Sequence, residues 1–429
     1  MNRREFLRNS SGTALLGAMP GLSHTLELQD PDVGSALPLW REGWLDLHHI
    51  NTGRGNSTLV VMPDGTSLLI DAGAAGTAGP AMCAARPDAT RRPGEWIARY
   101  VQRQLQATGP KRSGRLDYAL VTHLHGDHIG DVTDASPASK DGSHRLTGIS
   151  DVAALVGVDR LIDRGFPAYD RPVPAKYPAA ENYLAFVRSA VKTGMRAERV
   201  QVGSSRQIAM LRGRKDHPER RERFPAFGVK VIAGDGAVAL NRGEESRWVI
   251  PLGSGNGADN ISAENGLSIA LRLRYGKFSY YTGGDLNCDT NYGRDPWRDV
   301  ETPTAQACGA VSVATCNHHG YFDANGPEFV RALQARVWLL QSWHASHPAL
   351  STLANLYSTE LYAGPRDVFS LGLHPAAELA CDRFAGRLKS RQGHVVVRVE
   401  PGGDAYRVMV VEDGDESGRV KAVFGPYMS

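Results

Sequence analysis

Cysteine is scarce, with five residues in a chain of 429: Cys83, Cys288, Cys308, Cys316 and Cys381. The number is odd and no Cys-x-x-Cys spacing occurs, so a disulfide framework is not expected. A basic surplus is lacking as well. The formal charge is +3, and most of it comes from Arg3, Arg4 and Arg8 against Glu5 near the start. That balance does not point to tight, salt-driven binding of nucleic acid, which stays in play as a substrate only. No stretch reaches the roughly 20 apolar residues a membrane helix needs. Neither the Gly-x-Ser-x-Gly elbow of serine hydrolases nor the helical His-Glu-x-x-His zinc site is present. What is there is ordinary for a globular protein: 41% hydrophobic and 22% charged residues, enough to bury a sizeable core. The length exceeds one average domain, but a large α/β sandwich with insertions reaches it.

The first 24 residues read Asn2-Arg3-Arg4-Glu5-Phe6-Leu7-Arg8 and then a short, mildly apolar run. A charged start, a brief apolar stretch and small residues make an export signal. Adjacent arginines followed by Phe-Leu resemble the twin-arginine type. The expectation is an exported protein, periplasmic or extracellular, with a signal at 1–24, a linker at 25–43 and a single domain at 44–429.

The chain is organised around Thr122-His123-Leu124-His125-Gly126-Asp127-His128, which leaves the apolar segment Tyr118-Ala119-Leu120-Val121. Potential metal ligands crowd into a few residues where a buried strand ends, and Gly126 permits a sharp turn. Imidazole nitrogen with carboxylate oxygen suits zinc or a similar borderline ion. Around it, Trp44–Ile50, Thr58–Met62 and Thr66–Asp71 read as strands, the latter two joined by Pro63-Asp64-Gly65. Glu95–Thr108 and Glu181–Lys192 have helical periodicity. Val158–Asp163 reads as a short strand, while Asp131–His144 and Ser204–Arg223 read as polar excursions. Gly228–Ala233 and Leu267–Thr282 supply further strands, the second with a hairpin turn at Tyr275-Gly276-Lys277. Pro327–Gln334 and Pro348–Tyr357 read as helices, and Arg336–Gln341, His394–Val399 and Tyr406–Val411 as strands. His48 and His49 read as structural or surface residues. Cys316 reads as a small apolar residue or a ligand.

The His-x-His-x-Asp-His cluster resembles the signature of the metallo-β-lactamase superfamily. Leu68-Leu69-Ile70-Asp71-Ala72-Gly73, Tyr281-Thr282-Gly283-Gly284-Asp285 and Asn317-His318-His319-Gly320 resemble its other motifs and fall in the order that fold requires. Asn265-Gly266-Leu267-Ser268 resembles the Asn-x-x-Ser of one branch, the hydrolase domain of ComEC-type competence proteins and their soluble relatives. Gly53-Arg54-Gly55-Asn56 resembles the Gly-x-Gly-Asp of that branch, with Asn56 where an aspartate stands. The resemblance spans about residues 44 to 400.

It implies an α/β fold, the four-layer αββα sandwich with loop insertions. It also implies a hydrolase using two divalent ions, with zinc expected and manganese as the alternative, and a metal-bound hydroxide as nucleophile. His123 and His125 would hold one ion; Asp127, His128 and His318 the other; Asp285 would bridge them. Asp71 would orient a ligand imidazole. The histidine that relatives place between the first cluster and the bridging aspartate has no clear counterpart. His144 and His217 sit in polar loops, so Asp163 at a strand end is the expected substitute. His319 would support a ligand from behind or contact substrate. His347, followed by Pro348, would donate to substrate or leaving group, or simply start a helix. Asn265 and Ser268 would bind substrate, orient Asp285 or form a turn. Tyr321 stands where relatives carry serine. The favoured substrate is a phosphodiester, from small molecule to nucleic acid. The alternatives are a lactone or β-lactam, or a non-catalytic metal-binding module.

Overall fold

A computed structural model describes residues 31–76, 79–108, 114–170, 172, 174–212, 224, 227–240, 243–251 and 263–429. The expected export signal at 1–24, His217 and most of the charged excursion at 204–223 lie outside the described residues. No described helix is long and apolar enough to cross a membrane.

The hairpins and periodic segments read from the sequence assemble into two sheets. The strands in chain order are β1 (Leu45–His49), β2 (Thr58–Val61), β3 (Ser67–Ile70), β4 (Leu116–Leu120), β5 (Val158–Asp163), β6 (Arg196–Arg199), β7 (Phe227–Gly234), β8 (Ala237–Ala239), β9 (Ser246–Trp248), β10 (Ala270–Tyr275), β11 (Phe278–Thr282), β12 (Val313–Thr315), β13 (Val337–Leu340), β14 (Asp367–Ser370), β15 (His394–Val399), β16 (Ala405–Val411) and β17 (Val420–Met428). One sheet runs β17-β16-β15-β1-β2-β3-β4-β5-β6 and the other β14-β13-β12-β11-β10-β7-β8-β9. The helices are α1 (Pro93–Leu105), α2 (Gly126–Ile129), α3 (Ile149–Leu155), α4 (Pro178–Lys192), α5 (Glu301–Cys308), α6 (Pro327–Leu333), α7 (Leu350–Tyr357), α8 (Pro375–Ala380) and α9 (Asp382–Ala385).

Alternation along the strands sets the layers. Leu45, Leu47, Val60, Leu68 and Ile70 from the first sheet meet Val229, Leu271, Leu273, Phe278 and Tyr280 from the second. The opposite face of the first sheet, through Leu59, Val61, Leu69 and Ala119, packs against α1, α3 and α4. The opposite face of the second, through Ala270, Tyr281, Ala314 and Trp338, packs against α5, α6 and α7. Helix, sheet, sheet, helix is the expected four-layer sandwich.

The lead-in is tied down from Gly34 onward. The Gly34 amide donates to the Val420 carbonyl at 2.8 Å, and Leu37 to Gly418 at 2.8 Å. Trp40 is buried. The polar stretch after the metal motif ends in α3, a helix hidden from sequence reading by its Ser and Asp content. All five cysteines are free, and Cys316 lies in the apolar layer against Trp338 and Phe329.

His48 and His49 are both buried within the first sheet. His49 donates from Nδ1 to the Val395 carbonyl at 3.1 Å and accepts from Tyr280 Oη at Nε2, 3.0 Å away. His394 Nδ1 accepts the Asn51 amide at 3.0 Å. Burial pushes both His49 and His394 down to about 3. Because these values lie below the unfolded one, the unfolded chain takes up the protons first. The stability of the neutral rings is fully present above about pH 6.5 and is lost as pH falls toward 3, at about 1.4 kcal/mol per pH unit for each histidine. Urea midpoints should therefore drop steeply from pH 7 to pH 5, and His394→Asn, which keeps an acceptor for Asn51, should flatten the slope. An unchanged slope in that variant contradicts the assignment.

Candidate metal centre

The site lies where parallel strands end. β3, β4 and β5 run parallel in one sheet, as do β11, β12 and β13 in the other. Asp71, the 123–128 loop and Asp163 come at or just after the ends of the first three strands; Asp285, His318 and His319 follow β11 and β12. Chain segments leaving the carboxyl ends of parallel strands are free of the ladder and can turn side chains toward a common crevice.

Close backbone stitching fixes the histidine loop. The Asn56 amide donates to the Asp127 carbonyl at 2.9 Å, Ala72 to His128 at 2.9 Å and Ala74 to Gly126 at 3.0 Å. A Cβ on Gly73 would sit 1.9 Å from the Asp127 carbonyl oxygen, so only glycine fits there. Gly284, at φ +55°, lets the chain turn beneath Asp285. Asp71, His318 and His319 hold left-handed backbone at φ +59°, +46° and +55°. Such conformations cost on the order of 1–3 kcal/mol each for non-glycine residues and persist only where the surroundings enforce them.

Asp285 is the centre of the arrangement. Four histidines turn Nε2 toward it while an oxygen atom lies beside each Nδ1. His128 Nε2 lies 3.1 Å from Asp285 Oδ1, and its Nδ1 is 2.8 Å from Asp71 Oδ2. His319 Nε2 lies 3.3 Å from Asp285 Oδ2 and 2.8 Å from Asp127 Oδ2, with Nδ1 3.0 Å from Asn56 Oδ1. His318 Nε2 lies 3.7 Å from Asp285 Oδ2, with Nδ1 2.6 Å from Asp323 Oδ1. His123 Nε2 lies 3.8 Å from Asp285 Oδ2, with Nδ1 3.2 Å from Thr122 Oγ1. An oxygen acceptor at Nδ1 places the ring proton there and leaves the Nε2 lone pair for a cation. His125 stands beside His123, its Nδ1 3.1 Å from His123 Nε2.

Asp127, His128, Asp285 and His319 present ligand atoms all within 4.8 Å of one another. His128 Nε2 and Asp285 Oδ1 are buried 3.1 Å from each other, and neither has a hydrogen-bond partner elsewhere. Buried lone pairs gathered without donors require a positive charge among them, so the residues fit a divalent ion. Protonation shows the same demand. Burial alone would lower His128 and His319, yet Asp285, with Asp71 and Asp127 for His128 and Asp127 for His319, holds His128 well above the usual range and His319 at about 9. Burial would raise Asp285, but His128, His319 and His318 hold it well below the carboxylate range.

The structure thus brings together His123, His125, Asp127, His128, Asp285, His318 and His319. Between the paired histidines, His319 falls in the tight four-residue cluster, where His318 was the expected ligand. Asp163 is not brought to the site: its carboxylate accepts the Gly165 and Phe166 amides at 3.0 and 2.9 Å and the Tyr169 and Tyr183 hydroxyls at 2.5 and 2.8 Å. His144 lies on the surface against Phe186. Ser268 Oγ accepts the Asp285 amide at 3.0 Å, and Asn265 Nδ2 approaches His318 Nε2 at 3.4 Å. His347 stacks on His319 with ring centroids 5.0 Å apart and touches Tyr321 at 5.6 Å. Burial, then the neighbouring His319 and His318, hold His347 well below the usual range. Asn56, Asp323 and Thr122 were not assigned roles from sequence, since each acts only through a histidine brought near by folding. A cavity of about 540 Å³, bordered by Arg54, Arg92, Trp96 and Asp131, includes none of the cluster side chains.

Residues 50–145, which contain the first histidine cluster, match the family model described as the metallo-beta-lactamase superfamily. The fold is the metallo-β-lactamase sandwich. A search of curated protein sequences finds no match. Among solved structures, the chain is similar to a protein of Parabacteroides distasonis ATCC 8503 described as a metal-dependent hydrolase, at 11% identity and TM-score 0.34, covering 76% of this chain and 92% of that one. It is also similar to CmlA, a diiron β-hydroxylase from Streptomyces venezuelae, at 12% identity and TM-score 0.36, covering 85% of this chain and 55% of that one.

Asp71 offers a direct check on this candidate metal centre. Its carboxylate accepts from the Thr122 amide at 2.7 Å, the Thr122 hydroxyl at 2.8 Å and His128 Nδ1. Asp71→Asn should weaken metal affinity about 10- to 100-fold, the usual effect of losing such a partner, as measured by competition with a chelating dye. Parent-like affinity contradicts the role.

Proposed function

We propose that the chain is an exported, metal-dependent hydrolase of phosphodiester bonds, holding two divalent ions around Asp285. The observation that carries the metal centre is the fourfold pattern of Nδ1 beside an oxygen and Nε2 turned to one carboxylate. His123 and His125 would hold one ion and Asp127, His128 and His319 the other, with zinc or manganese as the metal. Bound there, the pair supplies a water activated at neutral pH and polarisation of the attacked oxygen. The chain's own residues do the rest. Asp71, Thr122 and Asn56 keep ring protons on Nδ1 so that the ligand nitrogens stay free. Ser268 fixes the Asp285 backbone. His318, partly exposed at 17% and tied to Asp323, faces the crevice and would contact a substrate oxygen. His347, neutral and stacked on His319, would steer the leaving group.

The phosphodiester preference is supported by the pairing of Asn265-Gly266-Leu267-Ser268 with Asn317-His318-His319-Gly320, whose members meet at the Asn265–His318 contact. Export is supported by Arg3-Arg4-Glu5-Phe6-Leu7. The test is metal analysis of the purified chain, followed by turnover of bis-p-nitrophenyl phosphate, a nitrophenyl phosphocholine, single-stranded DNA, a lactone and a β-lactam with zinc and with manganese. Metal-dependent turnover of the phosphodiesters above the two ring substrates is expected. Faster ring opening overturns the substrate class, and a chain that takes up no metal overturns the whole reading.

A further inference from the structure

Leu124 lies between His123 and His125, in a segment that is neither helix nor strand, so its amide needs a partner outside regular structure. It finds one in a buried carboxylate. Leu124 N donates to Glu264 Oε1 at 3.1 Å. The same carboxylate takes a two-pronged bond from Arg164, Nε to Oε1 at 2.6 Å and Nη2 to Oε2 at 2.7 Å. Glu264 and Arg164 are both 0% exposed. Arg164 follows directly on β5, next to the Asp163 position where a further ligand was expected; the strand end delivers a guanidinium to the carboxylate instead. One residue on, Asn265 touches His318; three further on, Ser268 holds the Asp285 amide; and Ile269 N donates to the Thr122 carbonyl at 2.9 Å. Residues 264–269 therefore grip both halves of the centre.

We propose that Glu264 is a positioning residue for the His123–His125 pair, clamping the amide between them, with Arg164 as the counter-charge that lets a carboxylate be buried there. Resting on the metal-centre reading above, the proposal adds a determinant of how well the ion on the His123–His125 side is held. A single substitution would leave a buried charge unpaired, which by itself is strongly destabilising, so the test uses paired variants that remove both charges. Arg164→Met with Glu264→Gln keeps an acceptor for Leu124; Arg164→Met with Glu264→Met removes it.

Amide hydrogen exchange of the metal-free full chain reads the clamp without any metal. The Gln pair should protect the 122–128 segment as the parent does, while the Met pair should exchange there about tenfold faster, the effect of one lost hydrogen bond. Titration with zinc alone should then show affinity for one of the ions falling about 10- to 100-fold in the Met pair only. Equal exchange in the two pairs overturns the clamp. Faster exchange with unchanged zinc affinity overturns its positioning role. A parent chain that binds no zinc overturns the metal centre, whereas the exchange comparison still decides the clamp.

Discussion

Asp285→Asn is expected to abolish tight binding of both ions and to lower phosphodiester turnover about a thousandfold or more, corresponding to about 4 kcal/mol of transition-state stabilisation. The carboxamide keeps the shape of the side chain and the Ser268 contact, which runs through the Asp285 backbone at 3.0 Å. What it removes is the charge on which His123, His128, His318 and His319 all converge. The same change lowers the attraction that holds protons on His128 and His319 in the metal-free chain, since Asp285 is the leading source of that attraction for both. Ring proton titrations by NMR should show both histidines moving down, which separates loss of the charge from loss of the fold. A variant that still retains both ions and parent turnover would remove Asp285 from the centre.

Much of this centre is legible from sequence because its ligands sit at strand ends, and strand ends are marked by apolar runs that stop at Gly, Asp or His. Val158–Asp163 is read with both bounds correct, and the hairpin turn at Tyr275-Gly276-Lys277 falls where its glycine requires. The signal fails where long-range geometry decides. Asp163 ends its strand as a ligand would, yet the Gly165 and Phe166 amides take its Oδ1 and the Tyr169 and Tyr183 hydroxyls, from the following loop and α4, take its Oδ2. The four-residue turn Asn317–Gly320 hides which imidazole faces inward, because positive φ at His318 and His319 cannot be read from two adjacent histidines. Strand β17 includes Gly425 and Pro426, which mask it as a loop, although it pairs along β16. Glu264 gave no signal, since its importance arises from an amide 140 positions away in the sequence.

His319→Asn and His318→Asn are expected to separate ligation from substrate contact. Asparagine tolerates the left-handed backbone of both positions better than most residues, so neither change should disturb the turn. His319 is 1% exposed, its Nε2 lies between Asp127 and Asp285, and its Nδ1 is held by Asn56 and the Gln341 carbonyl at 3.0 and 3.3 Å. His319→Asn should therefore lose the ion on the Asp127–His128 side and lower kcat/KM about a thousandfold. His318 stands farther from Asp285, leans on Asp323 and remains partly exposed to the crevice. His318→Asn should keep the metal content and lower kcat/KM about 100-fold, the lower end of the range for losing one donor to the transition state. Metal analysis of the two variants decides the order. If His318→Asn empties the site and His319→Asn does not, the inward ring is the other one, and the placement of the second ion must move toward Asn265 and Asp323.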